Sequence, residues 1–318
     1  MAPSVFFVGL GNMGYAMARN IAQKAGLDTP LAVYNRSKDR TTALVEEVAD
    51  TGRVTVAESV TAGVGPADIV WLMLSNDAVT ESVADEILGL PDDSSLQGKL
   101  LIQSATIHPD ATARIAAKAE ARGMQFVSAP VFGAPAMAQQ GQLIGVLAGA
   151  DAAVSRAEFL FKGVTARATI LLRDAPAGHS SLLKVIGNTF VFNMIEQLAE
   201  AHVLAEKTGL GTDALDQFVQ AMFPGPYAAY SQRMVSGQYY TLERPLFAVD
   251  LARKDIGYAL QYGEQTGVAL QNARTADAHL VQVKEHDGAT GDVAAIYGAV
   301  RQEAGLPYEN LKEGKKTE

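Results

Sequence analysis

The stretch Val5-Phe6-Phe7-Val8-Gly9-Leu10-Gly11-Asn12-Met13-Gly14-Tyr15-Ala16-Met17-Ala18-Arg19-Asn20 decides the fold of the N-terminal half. Four apolar, strand-prone residues lead into G-x-G-x-x-G, and an alanine-rich segment with helical spacing follows. The first glycine permits a tight turn, the second lets backbone approach a pyrophosphate, and the third lets helix and strand pack closely. The helix N-terminus adds free N–H groups and a partial positive charge. A second β-rich run, Leu31–Tyr34, completes strand, motif, helix and strand in order. That order predicts a dinucleotide site on Gly9, Leu10, Gly11, Asn12, Met13 and Gly14, against a plain glycine turn in an unrelated α/β protein.

The end of the second run sets the expected cofactor. An acidic residue about 20 positions after the glycines would take the ribose 2′-OH of NAD. Asn35-Arg36-Ser37 stands there instead, with Lys38 and Arg40 beyond. Arg36 can stack on adenine or pair with a 2′-phosphate, and Ser37 can donate a hydrogen bond. The reading is NADP(H) over NAD(H); the alternative is that Arg36 is a solvated surface residue.

Outward from this unit, the first half alternates strands and helices. Strands are expected at Ser4–Val8, Leu31–Tyr34, Val54–Val56, Ile69–Leu74, Leu100–Gln103, Gln125–Ser128, Leu143–Leu147 and Ile170–Leu172, with helices such as Tyr15–Ala25, Arg40–Asp50 and Asp110–Arg122 between them. This alternation predicts an α/β Rossmann-type domain with a mainly parallel sheet. The character changes near Ala175-Pro176-Ala177-Gly178. His179–Thr208 contains no proline, and its apolar residues fall almost all round the helical wheel, which predicts a long buried helix. Thr212–Phe223, Tyr227–Ser236, Ala248–Thr266, Asn272–His286 and Asp292–Ala304 read as further helices. The expected division is a cofactor-binding domain over 1–175, an all-helical substrate and dimerisation domain over 176–310, and a polar tail over 311–318.

Composition narrows the function classes. In 318 residues the net charge is −9, which argues against a general nucleic-acid surface. There are no cysteines, so disulfides and thiolate chemistry are excluded. The N-terminus shows no secretory pattern, and Leu182–Leu204 is interrupted by Lys184, Asn188, Glu196 and Glu200, so no membrane span is expected and a cytoplasmic address is. The five histidines show no metal-ligand spacing, and no metal is expected.

Lys184 places a positive charge inside an apolar helix. Desolvation lowers the pKa of such a lysine, which suits it to exchange a proton with the alkoxide that hydride transfer creates. Asn188, at i+4, shares its helix face and can orient the lysine or hold the substrate oxygen. On residue types alone, Lys184 reaching solvent and Asn188 bonding backbone is an equal reading.

The stretch from Val8 to Asn20 resembles the start of the β-hydroxyacid dehydrogenases, a family that includes 3-hydroxyisobutyrate dehydrogenase and is related to 6-phosphogluconate dehydrogenase and the imine reductases. Matches continue in the family's order over nearly the whole chain. Val70-Trp-Leu-Met-Leu-Ser-Asn resembles its fourth-strand loop, implying cofactor contacts from Leu74 and Ser75. Thr106-Ile107-His108-Pro109 resembles its Ser-Thr-Ile-x-Pro turn, implying Thr106 beside the nicotinamide ribose. Ala129-Pro130-Val131-Phe132-Gly133-Ala134 falls at its substrate loop, usually Ala-Pro-Val-Ser-Gly-Gly. Gly178 to Asn188 falls at its catalytic helix motif, which implies Lys184 and Asn188 as catalytic and substrate-binding residues. Lys254-Asp255 resembles its C-terminal pair, with Lys254 either clamping an anion or simply paired on a helix face.

Departures from the family pattern cluster at the substrate end. Phe132 replaces a serine, Ala134 a glycine, Ala105 a serine, Ser180 a glycine and Gly187 an asparagine. Phe132 is either a wall against a larger, more apolar substrate or a core residue; Gly133 and Ala134 flank it in the expected substrate loop. The resemblance implies an NADP(H)-dependent oxidoreductase acting on a small aldehyde, keto acid or β-hydroxy acid, as a homodimer with a small-molecule substrate. An imine reductase and a non-catalytic dinucleotide-binding module are the competing readings.

Overall fold

A computed structural model describes residues 2–51, 53–91 and 96–310, so the expected tail over 311–318 lies outside the described residues. The chain divides into two compact units, Met1–Lys184 and Val185–Glu318.

The first unit runs β1 (Val5–Val8), α1 (Asn12–Lys24), β2 (Leu31–Tyr34), α2 (Lys38–Glu47), β3 (Val54–Val56), α3 (Val60–Val64), β4 (Ile69–Leu72), α4 (Asp77–Leu88), β5 (Leu100–Gln103), α5 (Pro109–Ala121), β6 (Gln125–Ser128), β7 (Val131–Phe132), α6 (Pro135–Gln140), β8 (Leu143–Gly149), α7 (Asp151–Ala157) and β9 (Ala166–Arg173). Its strands form one sheet in the order β3-β2-β1-β4-β5-β6-β8-β7, with β9 on β8. The first six run parallel; β8 is antiparallel to β6 and β7 and parallel to β9. The reading of a mainly parallel Rossmann-type sheet followed by helices holds.

The central strands are short and apolar throughout because both faces are covered. Every residue of β1, β4 and β5 is buried. Alternate side chains feed two cores. Val5, Phe7, Trp71 and Ile102 meet Met17 and Ile21 of α1 on one face. Phe6, Val8, Val70 and Leu72 meet Val64, Ile87 and Ile115 of α3, α4 and α5 on the other. Trp71 lies between Phe7 and Phe161, at ring separations of 5.5 and 4.9 Å. Its indole N–H donates to Ser104 Oγ at 2.8 Å, so the one polar atom of the ring is satisfied in the core.

Two differences from the sequence reading have physical causes. β4 stops at Leu72 rather than Leu74, the Met73 N–H making a last bond to the Val8 carbonyl. β9 covers eight residues rather than three; after buried Ala166 every position is exposed or half-buried without a regular alternation, so only its apolar end, Ile170–Leu172, reads as strand in the sequence.

The second unit is helical. α8 (Gly178–Lys207) begins in the first unit and continues here, followed by α9 (Thr212–Met222), α10 (Pro226–Val235), α11 (Gln238–Thr241), α12 (Val249–Thr266), α13 (Gln271–Asp287) and α14 (Ile296–Glu303). Phe192, Ile195 and Leu198 of α8 share a core with Ile256, Leu280 and Tyr297. Buried Asp292 pairs with Arg233 and accepts the N–H groups of Leu246, Phe247 and Ala294. It caps a 3-10 turn, Val293–Ala295, where a continuous helix from Asp292 had been expected. α8 is not buried all round: Ile186, Phe190 and Leu204 are exposed, Phe190 by 75%.

Candidate functional site

The glycine turn leaves the carboxyl end of β1. The Gly9 N–H donates to the Tyr34 carbonyl on β2, while the next strand over, β4, is joined by Met73 N–H to Val8. The three motif glycines are required for different reasons. Gly9 has φ +103, and a Cβ there would stand 2.3 Å from the Met73 carbonyl oxygen. A Cβ on Gly14 would lie 2.0 Å from the Gly9 carbonyl oxygen, so α1 and the turn touch backbone to backbone. A Cβ on Gly11 would meet nothing within 4 Å. Gly11 is the open position, exposed at the N-terminus of α1, where a phosphate group can approach the backbone.

Asn35, Arg36 and Ser37 follow the carboxyl end of β2, and Leu74 and Ser75 that of β4, the two strands that flank β1; Thr106 follows β5, next to β4, while Lys254 lies on α12 of the second unit. Ligands of open parallel sheets bind at the carboxyl edge, where the strand order reverses. Asn35 ties the edge together: its Oδ1 accepts the Leu10 N–H at 2.9 Å and its Nδ2 donates to the Ser37 carbonyl at 2.9 Å. Leu10 itself is fully buried. Arg36 and Ser37 are exposed, as are Asn12 and Ser75, whereas Met13, Leu74 and Thr106 are half-buried. α2, which starts at Lys38, is held to α1 by Glu47. That carboxylate accepts from Tyr15 at 2.7 Å and Arg19 at 2.8 Å, and burial together with the Glu47 bond pushes the Tyr15 phenol up to about 12.

Lys184 and Phe132 come together. The Lys184 Nζ lies over the Phe132 ring, 4.5 Å from its centroid, well inside the range of a cation–π contact. Both side chains are half-buried. Phe132 sits on β7, opposite Ile144 of β8. The turn that follows is a second glycine turn: Gly133 has φ +134, and a Cβ there would meet Leu143 Cδ2 at 2.7 Å and the Met137 side chain at 3.3 Å.

A buried group of hydroxyls ties the end of β6, just before β7, to the start of the helix that carries Lys184. Ser180 Oγ lies 2.7 Å from Ser128 Oγ and 3.1 Å from the Ser128 carbonyl oxygen, within hydrogen-bond reach of both. Ser181 Oγ lies 2.7 Å from Thr112 Oγ1 and 3.3 Å from Ser128 Oγ. All four residues are at most 1% exposed. Ser128 ends β6 just before the Phe132 loop, and Ser180 and Ser181 stand one turn before Lys184. A glycine at 180, as in the family pattern, could not make these bonds. Buried polar groups in such a network specify one arrangement of the backbone.

In the second unit, buried Asn188 donates from Nδ2 to Asp255 Oδ2 at 2.8 Å. Lys254 Nζ lies 3.0 Å from Asp255 Oδ1 and 5.2 Å from the centre of the Tyr258 ring. Asn188 therefore bonds the Asp255 side chain, and Lys254 is paired with the same neighbour.

The hydroxyl cluster and Asp255's tie to Asn188 were missed in the sequence. Their signal there is weak: a threonine, a lone serine and a serine pair far apart in the chain, and an aspartate read only as a partner for Lys254. Among the described residues, no three histidine, aspartate or glutamate side chains gather as a metal site would. No described helix is long and apolar enough to cross a membrane.

Comparison with known proteins agrees with this geometry. Residues 4–172 match the model of the NAD binding domain of 6-phosphogluconate dehydrogenase, and residues 178–300 match that described as NAD-binding of NADP-dependent 3-hydroxyisobutyrate dehydrogenase. The chain is 33% identical to the NADH-dependent oxidoreductase ucdB of Aspergillus ustus, over 95% of this chain and 100% of that one. It is 26% identical to glyoxylate/succinic semialdehyde reductase 1 of Arabidopsis thaliana, over 93% and 98%. Among solved structures, 3-hydroxyisobutyrate dehydrogenase of Mycobacterium tuberculosis with L-serine superposes with a TM-score of 0.78 at 25% identity, covering 95% and 100%. Glycine turn, sheet order and helical second unit thus fall in one lineage, and the chain belongs to the β-hydroxyacid dehydrogenase family of NAD(P)-dependent oxidoreductases.

Proposed function

We propose that this protein is an NADP(H)-dependent carbonyl reductase that converts a small aldehyde or keto acid to the hydroxy compound, and oxidises a β-hydroxy acid in reverse, with Lys184 as the general acid and base. The observation that carries this reading is the placement of Lys184: a half-buried ammonium facing Phe132, on a helix whose start is pinned by buried hydroxyls. The glycine turn fits a dinucleotide, since Gly11 leaves open the space that a Cβ would occupy. Gly9, Leu10, Gly11, Asn12, Met13 and Gly14 would hold the pyrophosphate. Arg36 and Ser37, beside the structural Asn35, would hold the ribose phosphate, and Leu74, Ser75 and Thr106 would flank the nicotinamide end. When bound, the nicotinamide supplies the hydride. Lys184 gives a proton from Nζ to the carbonyl oxygen and is left neutral. Asn188 is a further proposed catalytic and substrate residue, Lys254 a proposed cofactor residue, and Phe132, Gly133 and Ala134 the proposed substrate loop.

NADP(H) preference is supported by the absence of a carboxylate at Asn35-Arg36-Ser37 and by the exposure of Arg36 and Ser37. A relative named for NADH makes this preference the first measurement. The test is oxidation of NADPH and NADH across aldehydes, keto acids and imines, starting with succinic semialdehyde and glyoxylate. Turnover of imines alone would make the protein an imine reductase. NADPH binding with no turnover of anything would make it a non-catalytic module. Equal catalytic efficiency with both cofactors would overturn the NADP preference.

The same reading includes a homodimer, a cytoplasmic setting and a division of labour near residue 175. The dimer is supported by exposed apolar residues of α8, namely Ile186, Phe190 and Leu204. Sedimentation as a monomer at working concentration would contradict it.

A further inference from the structure

We propose that Phe132 determines substrate specificity: its ring holds the Lys184 ammonium and gives the substrate an apolar wall, so the site selects an uncharged aldehyde or ketone with an apolar substituent over one that carries a carboxylate. This rests on the reading of Lys184 as the proton donor, and it narrows the substrates proposed above for that same site to the uncharged carbonyls, with keto acids and semialdehydes as the disfavoured class.

Three observations carry it. First, Lys184 Nζ stands 4.5 Å from the ring centroid, so the negative face of the ring is turned toward the ammonium. A carbonyl oxygen needs only one N–H of that ammonium. Second, the loop's side chains, Phe132, Ala134 and Pro135, carry no hydrogen-bond donor for a substrate carboxylate. Third, the loop is bedded on apolar residues. Leu143 and Met137 close on Gly133, and Ile144 lies opposite Phe132 in the strand register. The reacting atoms balance without Phe132: hydride goes to carbon, and the proton goes from Nζ to oxygen. The ring positions the donor and shapes the wall.

The hydroxyl cluster makes the contact a fixed one. Ser128 and Ser180 join the end of β6 to the start of α8 through two hydrogen bonds, so Phe132 and Lys184 are carried by backbone segments tied directly to each other. Phe132 is therefore presented to Lys184 by the fold.

The experiment compares kcat/KM for a neutral aldehyde such as benzaldehyde or hexanal with that for succinic semialdehyde, using NADPH and full-length protein. Wild type should favour the neutral aldehyde. Phe132→Ser should move the ratio toward the semialdehyde by about tenfold or more, the scale of one pocket contact. Phe132→Tyr, which keeps the ring, should hold the ratio within about threefold. Phe132→Leu keeps apolar bulk without a π face, so it should lower kcat by about fivefold to tenfold while KM for the neutral aldehyde stays nearly constant. NADPH binding and melting temperature report folding for each variant; if the serine variant does not fold, the Tyr and Leu pair decides. A wild-type preference for the semialdehyde, or a ratio that Ser, Tyr and Leu leave alike, overturns the role of Phe132 while leaving Lys184 as donor. No turnover of any carbonyl by wild type that binds NADPH overturns both.

Discussion

Two glycine turns in the same sheet domain do different work. After β1, Gly9 with φ +103 and Gly14 meet backbone: a Cβ would strike the Met73 and Gly9 carbonyl oxygens at 2.3 and 2.0 Å. After β7, Gly133 with φ +134 meets side chains, Leu143 at 2.7 Å and Met137 at 3.3 Å. Backbone cannot yield, so the first turn has one shape whatever surrounds it. Side chains can repack, so the second takes its shape from its neighbours. On the proposed reading, a cofactor site built from the first kind would be uniform, and a substrate site built from the second could diverge by single substitutions such as that at Phe132.

The largest effect that would test this contrast is at the helix facing the second turn. Lys184→Ala should lower kcat by about 10²–10⁴-fold and leave NADPH affinity unchanged, as measured by steady-state kinetics and cofactor titration. Retained turnover would remove the proton donor from the second region. On the cofactor side, Arg36→Ala should raise KM for NADPH by about tenfold or more and leave KM for NADH nearly unaltered. The glycines separate shape from contact. Gly14→Ala should cost about 1–3 kcal/mol of stability through overpacking and weaken cofactor binding with it. Gly11→Ala should leave the melting temperature unchanged yet raise Kd for NADPH, because its Cβ enters open space. Equal destabilisation by the two would erase the distinction between the motif glycines.

The smallest effect belongs to the second unit and serves as the control. His279 Nδ1 lies 2.8 Å from Glu196, itself buried, and Nε2 lies 3.2 Å from Glu303. The Glu196 bond above all lifts the His279 pKa from 6.5 to about 9, with burial opposing. The folded-state value is the higher one, so this stabilisation is complete below about pH 6.5 and is lost as pH rises through about 9. Urea midpoints should fall between pH 7 and pH 10 by about 1–2 kcal/mol of unfolding free energy in wild type, and less in His279→Gln. KM for NADPH should not follow that change.

Much of this was legible in the sequence where backbone geometry dictates residue type. Gly9, Gly11 and Gly14 announced the turn, and the unbroken apolar runs of β1, β4 and β5 announced strands covered on both faces. Where side chains met across long separations, the sequence was silent. β7 is two residues long, too short for any alternation to register. Ser128, Ser180, Ser181 and Thr112 come from three separate elements, and nothing local marks them as one cluster. Phe132 was visible as a departure, but whether it was core or wall depended on the Lys184 contact.

Asn35 carries a practical consequence for redesign. An obvious route to an NAD-preferring form would place an acid at the end of β2. At Asn35, however, an aspartate keeps only the acceptor for Leu10 and loses the donor to Ser37, and the new charge would sit inside the turn it is meant to serve. The exposed pair Arg36 and Ser37 can be exchanged without touching those bonds. Selection for a new cofactor should therefore accumulate changes at these two positions first, with Asn35 retained as the hinge pin of the loop.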